Sequence, residues 1–504
     1  MKTLLIVGMG LSGNATFCQL VNHLISSETT QESDTIIRVF ETNESLFATG
    51  VPYQVDCPEI WTLNNPARDF KFIPEVEDLT TWIKANTDIW KLKFPEINED
   101  YVPRALVGMY LKAQYQIHKK KAKSHGIEVH EQFEEVIDVA SIEEGTWQIH
   151  TKLAQYTADC LFLCFGHAPN YHFPHLFSKP NFFSSSMGVT AMEKIPVDAD
   201  VYILGGQATF VDIALWLAYV RNHKGEIHTV TRNSSVITTK GNNEPCDTTS
   251  LDELQMSLSK QSLNSLSFAE GKNLFWNAYK KAAKEPVDPD KQLSARDVLE
   301  YQVSKFEKKP YLNLPLGNID ELRSFIKYFY FNGCYKELWE KLGNFEKTQF
   351  TNLMYSQIMA YLTGITPLNA RLLLELHNRG MIKEQTGVTQ VIYDENKQKF
   401  LLYFQSEEII EAEYVIDASG FGYDISRCTD SSLLHNLVIK GFIVPKEHGG
   451  ILINASSQVL NSRGEVQKNL FCIGPVASYG YQYPTPHASF LVFNTVDHAV
   501  NSII

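Results

Sequence analysis

The chain has 504 residues, a length that suggests about three domains. Apolar residues make up 44% and charged residues 20%, which is a globular composition with enough apolar material for a large core. The formal net charge of −13 argues against an electrostatic grip on nucleic acid or on an anionic membrane surface.

Cysteine usage and targeting signals point to an ordinary cytoplasmic protein. The chain has 8 cysteines and no CxxC spacing, so we expect free thiols and no metal site. The apolar run near the start spans only residues 4–7, too short for the hydrophobic region of a signal peptide. No stretch of about 18 apolar residues exists, so we expect no membrane span.

The first element pattern in the chain is a βαβ unit. Residues 3–7 form a continuously apolar run, typical of a buried parallel strand, and the sequence GMGLSG follows at residues 8–13. Apolar residues then recur at helical spacing as far as residue 25. A second apolar strand at 36–40 ends at Glu41.

Each conspicuous residue of this unit has a physical task in a dinucleotide site. Gly8 permits the tight turn, Gly10 lets the backbone approach a pyrophosphate, and Gly13 allows the helix to pack closely on the strand. The helix N-terminus offers free N–H groups to the phosphates. Glu41 stands where a carboxylate accepts hydrogen bonds from ribose hydroxyls.

A second unit with a degraded glycine pattern begins at residue 201. The apolar run 201–204 precedes Gly205, but Gln207 and Phe210 occupy the positions of the second and third glycines. After a helix at 212–220 and a strand at 227–231, Arg232 stands where the first unit has its acid. An arginine there suits a 2′-phosphate, which favours a weakened NADPH site. The alternative is a Rossmann-like unit that is retained for packing.

Three further buried strands each stop at a glycine, and such ends let the backbone pass close to a cofactor. They are residues 160–165 before Gly166, 414–418 before Gly420, and 470–473 before Gly474. Residues 238–361 are charged and helical by period. The whole pattern predicts an α/β fold with two Rossmann-like dinucleotide-binding domains, in a glutathione-reductase-like arrangement, and a helical insertion.

The predicted domain boundaries follow from this order. We assign residues 1–195 and 425–504 to an FAD-binding domain, 196–237 and 362–424 to an NAD(P)-binding domain, and 238–361 to the insertion.

Four segments together resemble a known family. They are GMGLSG at 8–13, GVPY at 50–53 with TLNNPA at 62–67, YVPR at 101–104 with GMYL at 108–111, and LFCIGP at 470–475. The chain resembles the bacterial FAD/NAD(P)-binding Rossmann proteins related to class B flavin monooxygenases and amino-acid N-hydroxylases. One branch of that family contains L-aspartate N-monooxygenases that form nitrosuccinate. The sequence departs from the family at Gln207 and lacks the arginine-rich segment expected before Pro367.

The resemblance implies FAD and NADPH as cofactors, with molecular oxygen and a small polar or amino-acid substrate as the other reactants. The residues predicted to bind cofactor are Gly8, Gly10, Leu11, Ser12, Gly13, Glu41, Gly166, Gly205, Gln207, Arg232, Gly474 and His487. The candidate catalytic residues are Asn64, Asn65 and Arg104.

Several of these residues also have a structural explanation that involves no cofactor or substrate. Asn64 and Asn65 also suit a polar turn before Pro66, and Arg104 also suits an exposed ion pair. His167 is more typical of a strand end than of a catalyst. The function is then either an NADPH-using FAD monooxygenase or a flavin-binding regulatory or interaction protein whose NAD(P) site is degenerate.

Overall fold

The computed structural model of the chain describes residues 2–26, 35–97, 100–143, 145–168, 170, 172–184, 189–233, 237–240, 244–288, 293–309, 317–422, 424–428, 432–446, 449–477 and 488–503. The chain divides into two compact units. The first unit comprises Met1–Tyr171 and Phe421–Ile504, and the second comprises His172–Gly420. No helix of the described residues is long and apolar enough to cross a membrane.

The strands, in chain order, are β1 (Lys2–Val7), β2 (Thr35–Phe40), β3 (Glu128–Gln132), β4 (Val136–Glu143), β5 (Thr146–Thr151), β6 (Gln155–Ala158), β7 (Cys160–Leu163), β8 (Phe182–Ser184), β9 (Val201–Leu204), β10 (Ile227–Thr231), β11 (Ile382–Thr386), β12 (Val388–Asp394), β13 (Lys399–Phe404), β14 (Ile409–Ala412), β15 (Tyr414–Asp417), β16 (Gln458–Leu460) and β17 (Val466–Cys472).

The α-helices are α1 (Leu11–Ser26), α2 (Leu79–Ala85), α3 (Thr87–Trp90), α4 (Arg104–Ser124), α5 (Ala208–Leu215), α6 (Thr249–Ser259), α7 (Phe268–Ala282), α8 (Ala295–Phe306), α9 (Ile319–Phe331), α10 (Cys334–Lys341), α11 (Asn344–Phe350), α12 (Ser356–Thr363), α13 (Pro367–Asn378), α14 (Leu433–Ile439) and α15 (Ala488–Asn501). A π-helical turn, Trp216–Val220, continues α5.

The first unit is built on a sheet in the order β16-β17-β7-β1-β2-β3, parallel except for β16. Strand β1 is covered on both faces, which explains its continuously apolar sequence. Leu4 and Ile6 pack in the core with helices α1 and α4, whereas Leu5 and Val7 pack in the core with β4–β6 and α14.

The second unit has a fully parallel sheet in the order β11-β10-β9-β15-β8. Strand β8 pairs with β15, so segment 172–195 lies in the second unit although we predicted it in the first. The reason is that β8 is only 3 residues long, and so short a strand has no readable periodicity.

The helical segment belongs to the second unit, and its two ends leave and rejoin the rest of that unit at one place. Thr239 and Ile365 form a parallel bridge, and the N–H of Ile365 donates to the Thr238 carbonyl over 2.7 Å. Glu384 on β11 accepts hydrogen bonds from the N–H groups of Ala295 and Arg296 at the start of α8. A carboxylate at a helix N-terminus is favourable, so this contact anchors the helices to the sheet.

The same element order occurs in both units and confirms the predicted α/β fold with two Rossmann-like domains. In each unit a strand–helix–strand segment leads to a further parallel strand, an antiparallel meander and then a strand that pairs with the first one. The meanders are β4-β5-β6 and β12-β13-β14, and the strands that follow them are β7, which pairs with β1, and β15, which pairs with β9. Strand β8 precedes this order in the second unit, and β16 and β17 follow it in the first.

Candidate nucleotide-binding sites

The turn from β1 into α1 requires glycine at two positions. Gly8 has φ +90°, and a Cβ on it would lie 2.4 Å from the Cys164 carbonyl oxygen. A Cβ on Gly13 would lie 1.9 Å from the Gly8 carbonyl oxygen. The predicted tight turn and the predicted close packing of helix on strand are therefore both present.

Gly10 contacts a part of the chain that its sequence neighbourhood does not reveal. A Cβ on Gly10 would lie 3.3 Å from the Cα of Gly50, which itself has φ +71°. Gly50 opens the GVPY segment, so two of the four segments that carry the family resemblance meet here. The two backbones can pack this closely only because neither residue carries a side chain.

Asn14 helps to build this turn and was not predicted from the sequence. It is fully buried, and its amide nitrogen donates to the carbonyls of Ala48 and Leu111, each over 2.9 Å. These bonds tie α1 to the chain just before Gly50 and to α4. An asparagine on the apolar face of a predicted helix was the available signal.

Glu41 lies at the C-terminal end of β2, beside the glycine turn. Its Oε2 accepts a hydrogen bond from the Met9 N–H over 3.0 Å, and its Oε1 accepts from the Thr42 N–H over 2.9 Å. Oε1 also accepts from the Thr42 hydroxyl over 3.2 Å and from the Asn43 N–H over 3.4 Å. The carboxylate thus fixes the turn, and Oε2 keeps lone-pair capacity for a further donor such as a hydroxyl.

The chain segments that follow β7 and β17 lie against this turn, and the predicted approach of their glycines to a cofactor stays a prediction. Gly474 has φ +114°, and a Cβ there would lie 2.6 Å from the Ser12 hydroxyl oxygen, next to Leu11 at the start of α1. Gly166 has φ +74° and open space at its Cβ position. Strand order reverses between β1 and β7, where open α/β sheets bind ligands.

The three candidate catalytic residues lie in one pair of chain segments. The Leu63 N–H donates to the Val102 carbonyl over 2.9 Å, and the Arg104 Nε donates to the Thr62 carbonyl over 3.1 Å. Asn64 and Asn65 follow directly in a half-buried bend. The structure brings the three together, and their roles stay predictions.

Tyr53 connects this pair of segments to the glycine turn. A Cβ on Gly108 of α4 would lie 1.9 Å from the Tyr53 carbonyl oxygen, so α4 packs directly on the GVPY segment. Burial raises the pKa of the Tyr53 hydroxyl, and the nearby Arg104 opposes that rise. The charge of Arg104 therefore faces the same side of α4 as Tyr53.

His167 has a structural environment. Its ring stacks on Phe421 with centroids 3.9 Å apart and an interplanar angle of 11°. Burial lowers the pKa of His167 to about 4, so the ring is neutral at pH 7. This environment favours a structural role for His167 at the end of the strand over a catalytic role.

The second glycine turn reproduces the first only in part. Gly205 has φ +126°, and a Cβ on it would lie 2.3 Å from the Ala418 carbonyl oxygen. Its own carbonyl accepts a hydrogen bond from the Thr229 hydroxyl over 3.0 Å. Helix α5 begins directly after Gln207, and Phe210 is buried in the core. Arg232 is exposed immediately after β10.

A series of hydrogen-bonded polar side chains lies at the end of strand β15, beside that turn. Asp417 is buried and accepts hydrogen bonds from the Ser419 N–H over 3.0 Å and from the Ser419 hydroxyl over 2.6 Å. The Nδ1 of His172 lies 3.0 Å from that hydroxyl oxygen. Burial raises the pKa of Asp417, and the hydrogen bonds from Ser419 oppose the rise.

Two predictions concern metals and His487. All 8 cysteines are free, and within the described ranges no group of His, Cys, Asp and Glu is arranged to hold a metal ion. His487, predicted to bind cofactor, lies outside the described residues.

Comparison with known proteins agrees with this geometry. Residues 5–168 match a family model described as FAD-NAD(P)-binding, and no curated protein matches the chain in sequence.

Solved structures of similar fold cover nearly the whole chain. An ornithine N-hydroxylase from Kutzneria sp. 744 superimposes with a TM-score of 0.56 at 11% identity, covering 99% of this chain and 98% of that one. Ornithine hydroxylase from Pseudomonas aeruginosa gives 0.54 at 12% identity, covering 100% and 98%. L-lysine 6-monooxygenase from Pseudomonas syringae gives 0.53 at 12% identity, covering 100% and 99%. Residues 5–168 are thus similar to an FAD-NAD(P)-binding family, within a chain that has the fold of these hydroxylases.

Proposed function

We propose that the protein is an FAD-dependent, NADPH-using monooxygenase that hydroxylates a nitrogen of a small polar or amino-acid substrate. The observation that carries the proposal is the pair of glycine turns at switch points of two parallel sheets, followed by Glu41 in the first unit and Arg232 in the second. An acid suits the ribose hydroxyls of FAD, and an arginine suits the 2′-phosphate of NADPH.

The residues of the first unit fit FAD. The turn at 8–13 and the N–H groups at the start of α1 would take the pyrophosphate, because a helix N-terminus offers N–H groups that have no partner within the helix. Glu41 would accept hydrogen bonds from the ribose while its Oε2 keeps the Met9 N–H in place. Bound FAD would supply the redox chemistry, accepting hydride from NADPH and activating oxygen.

Arg104 and the Asn64–Asn65 bend are the proposed polar groups for the substrate. The guanidinium is held at its Nε by the Thr62 carbonyl over 3.1 Å. An arginine presents a planar set of donors that matches a carboxylate. The solved structure of the Kutzneria ornithine N-hydroxylase contains L-ornithine, which supports an amino-acid substrate. The family resemblance makes L-aspartate the first substrate to test.

The proposal is tested with the purified full-length chain. Heat-released flavin is identified as FAD or FMN, and NADPH oxidation is followed with L-aspartate, L-ornithine, L-lysine and small diamines. We expect bound FAD and a substrate whose product carries one added oxygen atom on nitrogen, seen by mass spectrometry. A protein that binds no flavin, or that never consumes NADPH with any amine, contradicts the proposal.

A second candidate function rests on Gln207 and Phe210. These side chains replace two glycines of the second turn, and the Gly205 carbonyl is already satisfied by Thr229. If the second unit serves packing alone, the protein is a flavin-binding interaction protein. FAD that stays oxidised under anaerobic conditions with excess NADPH and substrate would favour this candidate.

A further inference from the structure

Asn14, the residue that follows the first glycine turn, is bonded to three parts of the first unit at once. Its backbone N–H donates to the Gly10 carbonyl over 2.9 Å. Its side-chain amide donates to the carbonyls of Ala48 and Leu111, which lie 34 and 97 residues away in the chain. The side chain is 0% exposed, so these bonds lie in the core. One side chain therefore links the turn to two distant segments.

The Asn14 amide meets the chain at a strained residue. Ala48 has φ +65°, in the left-handed region that residues other than glycine rarely adopt, because the Cβ comes too close to the following carbonyl oxygen. Backbone strain of this kind persists only where surrounding contacts hold it, and it concentrates at functional sites. The bond from Asn14 to the Ala48 carbonyl is such a contact.

The strained segment lies directly against the glycine turn. A Cβ on Gly50 would lie 3.1 Å from the Gly10 Cα and 3.6 Å from the backbone nitrogen of Leu11, the first residue of α1. The Gly50 N–H donates to the Leu46 carbonyl over 2.7 Å, which closes a turn around Ala48. The conformation that Asn14 holds at Ala48 therefore determines how the chain at Gly50 supports the glycine turn.

The two bonds of the Asn14 amide are not equivalent. Leu111 lies inside α4, where carbonyls already accept the N–H groups of the helix itself, so the bond from Asn14 is an additional one there. Ala48 lies in a turn outside any helix or strand. Loss of the amide should therefore disturb the Ala48 segment more than it disturbs α4.

We propose that Asn14 is a positioning residue that holds the strained segment Ala48–Gly50 against the glycine turn and so preorganises the turn for a pyrophosphate. The proposal rests on the proposed binding of FAD to the first unit and adds the residue that fixes the turn before FAD binds. A turn that already has its binding conformation loses less conformational entropy when the ligand arrives. FAD and ADP both carry a pyrophosphate, so both should depend on Asn14 to the same extent.

The test uses the full-length protein stripped of flavin and titrated calorimetrically with FAD and with ADP, at a temperature where every variant is folded. Asn14→Ala removes both donors, and Asn14→Leu removes them while it fills the same space in the core. Each variant should weaken both ligands by the same factor, about 5- to 30-fold.

A second substitution tests the strain at Ala48. Ala48→Gly alone should bind both ligands like the unaltered protein, because glycine adopts a positive φ at no steric cost. In a protein that carries Ala48→Gly, the further change Asn14→Leu should weaken both ligands by less than about threefold, because the segment then keeps its conformation without the bond.

Gln302→Ala is the matched control, since Gln302 is also a side-chain amide that is 0% exposed. It accepts from the Thr239 N–H and donates to Asp320, each over 2.7 Å, within the second unit. This variant should lower the melting temperature and leave the affinities for FAD and ADP unchanged.

Unchanged affinities in Asn14→Ala and Asn14→Leu, with only a lower melting temperature, overturn the proposal. An equal loss with and without Ala48→Gly also overturns it, because Asn14 then does not act through the strained segment. A protein that loses both ligands as expected but never oxidises NADPH with any amine keeps this assignment and rejects the monooxygenase. If the unaltered protein binds neither FAD nor ADP, both proposals are rejected.

Discussion

The glycine turns after β1 and after β9 share their first glycine but differ at the third glycine position of the motif. In both, the first glycine has a positive φ and lies against the carbonyl of a neighbouring strand, at Cys164 for Gly8 and at Ala418 for Gly205. The two turns differ in the residue at the third glycine position of the motif. The first turn brings its helix so close that Gly13 has no room for a Cβ, whereas the second accommodates Phe210 and covers the Gly205 carbonyl with Thr229.

This difference indicates that the packing of the helix against the turn is constrained more tightly in the first unit than in the second. Close helix packing brings free N–H groups to a phosphate, so the first turn keeps the geometry that binding needs. The second turn keeps the first glycine's contact and its backbone hydrogen bond to the following strand, but it has no glycine at the third position. Five changes would break or sharpen the comparison, from the largest expected effect to the smallest.

Gly13→Ala should destabilise the protein by about 3 kcal/mol, because the new methyl group meets the Gly8 carbonyl oxygen at 1.9 Å. Denaturant unfolding of the flavin-free protein measures this. Gly10→Ala is the graded control, since its methyl group would lie 3.3 Å from Gly50 and should cost less. Equal stability of Gly13→Ala and the unaltered protein would contradict the close packing.

Acid should destabilise the first unit through His167. Burial lowers the folded pKa of this residue to about 4, below the unfolded value of about 6.5. The unfolded state therefore binds the proton first, and stability falls as the pH drops from about 6.5 to 4, by about 1–3 kcal/mol in all. His167→Phe keeps the stack on Phe421 and should flatten the profile in that window. An unaltered pH profile would show that His167 does not cause it.

Glu41→Ala should weaken FAD binding by about 1–3 kcal/mol, because the Met9 N–H and the ribose hydroxyls lose their acceptor. Glu41→Gln should lose less, since an amide oxygen still accepts from Met9. Fluorescence titration of the flavin-free protein gives both values. Full retention of FAD affinity in Glu41→Ala would remove Glu41 from the site.

Arg232→Ala should raise the KM for NADPH about tenfold and leave the KM for NADH nearly unchanged, because only NADPH carries the 2′-phosphate. Arg232→Lys keeps the charge and should lie between the two. Steady-state kinetics with each nucleotide makes the measurement. An equal loss for both nucleotides would show that Arg232 does not read the phosphate.

Gln207→Gly should speed flavin reduction by NADPH, by less than about tenfold. The backbone at Gln207 has φ −110°, which any residue adopts, so the side chain alone distinguishes this turn from one with glycine. Stopped-flow reduction under anaerobic conditions is the readout. Slower reduction would mean that the amide contacts the nucleotide, and no reduction in either protein would make the second unit structural.

Much of the fold was predictable because its signals are local. The strands at 201–204 and 227–231 were predicted with the bounds that the structure has, since both are short apolar runs between polar turns. The glycine turn before α1 was equally readable. Strand β8 was not, and its segment was placed in the wrong unit.

The same distinction between local and long-range information applies to the candidate site. The sequence by itself predicted Gly8, Gly13 and Glu41 as neighbours in one site, because their spacing along a βαβ unit places them at one turn, and in the structure Glu41 does lie beside that turn. Only the tertiary structure showed that Gly10 faces Gly50 and that Asn14 joins α1 to α4. These contacts join residues far apart in the chain, and neither periodicity nor spacing carries information about such pairs.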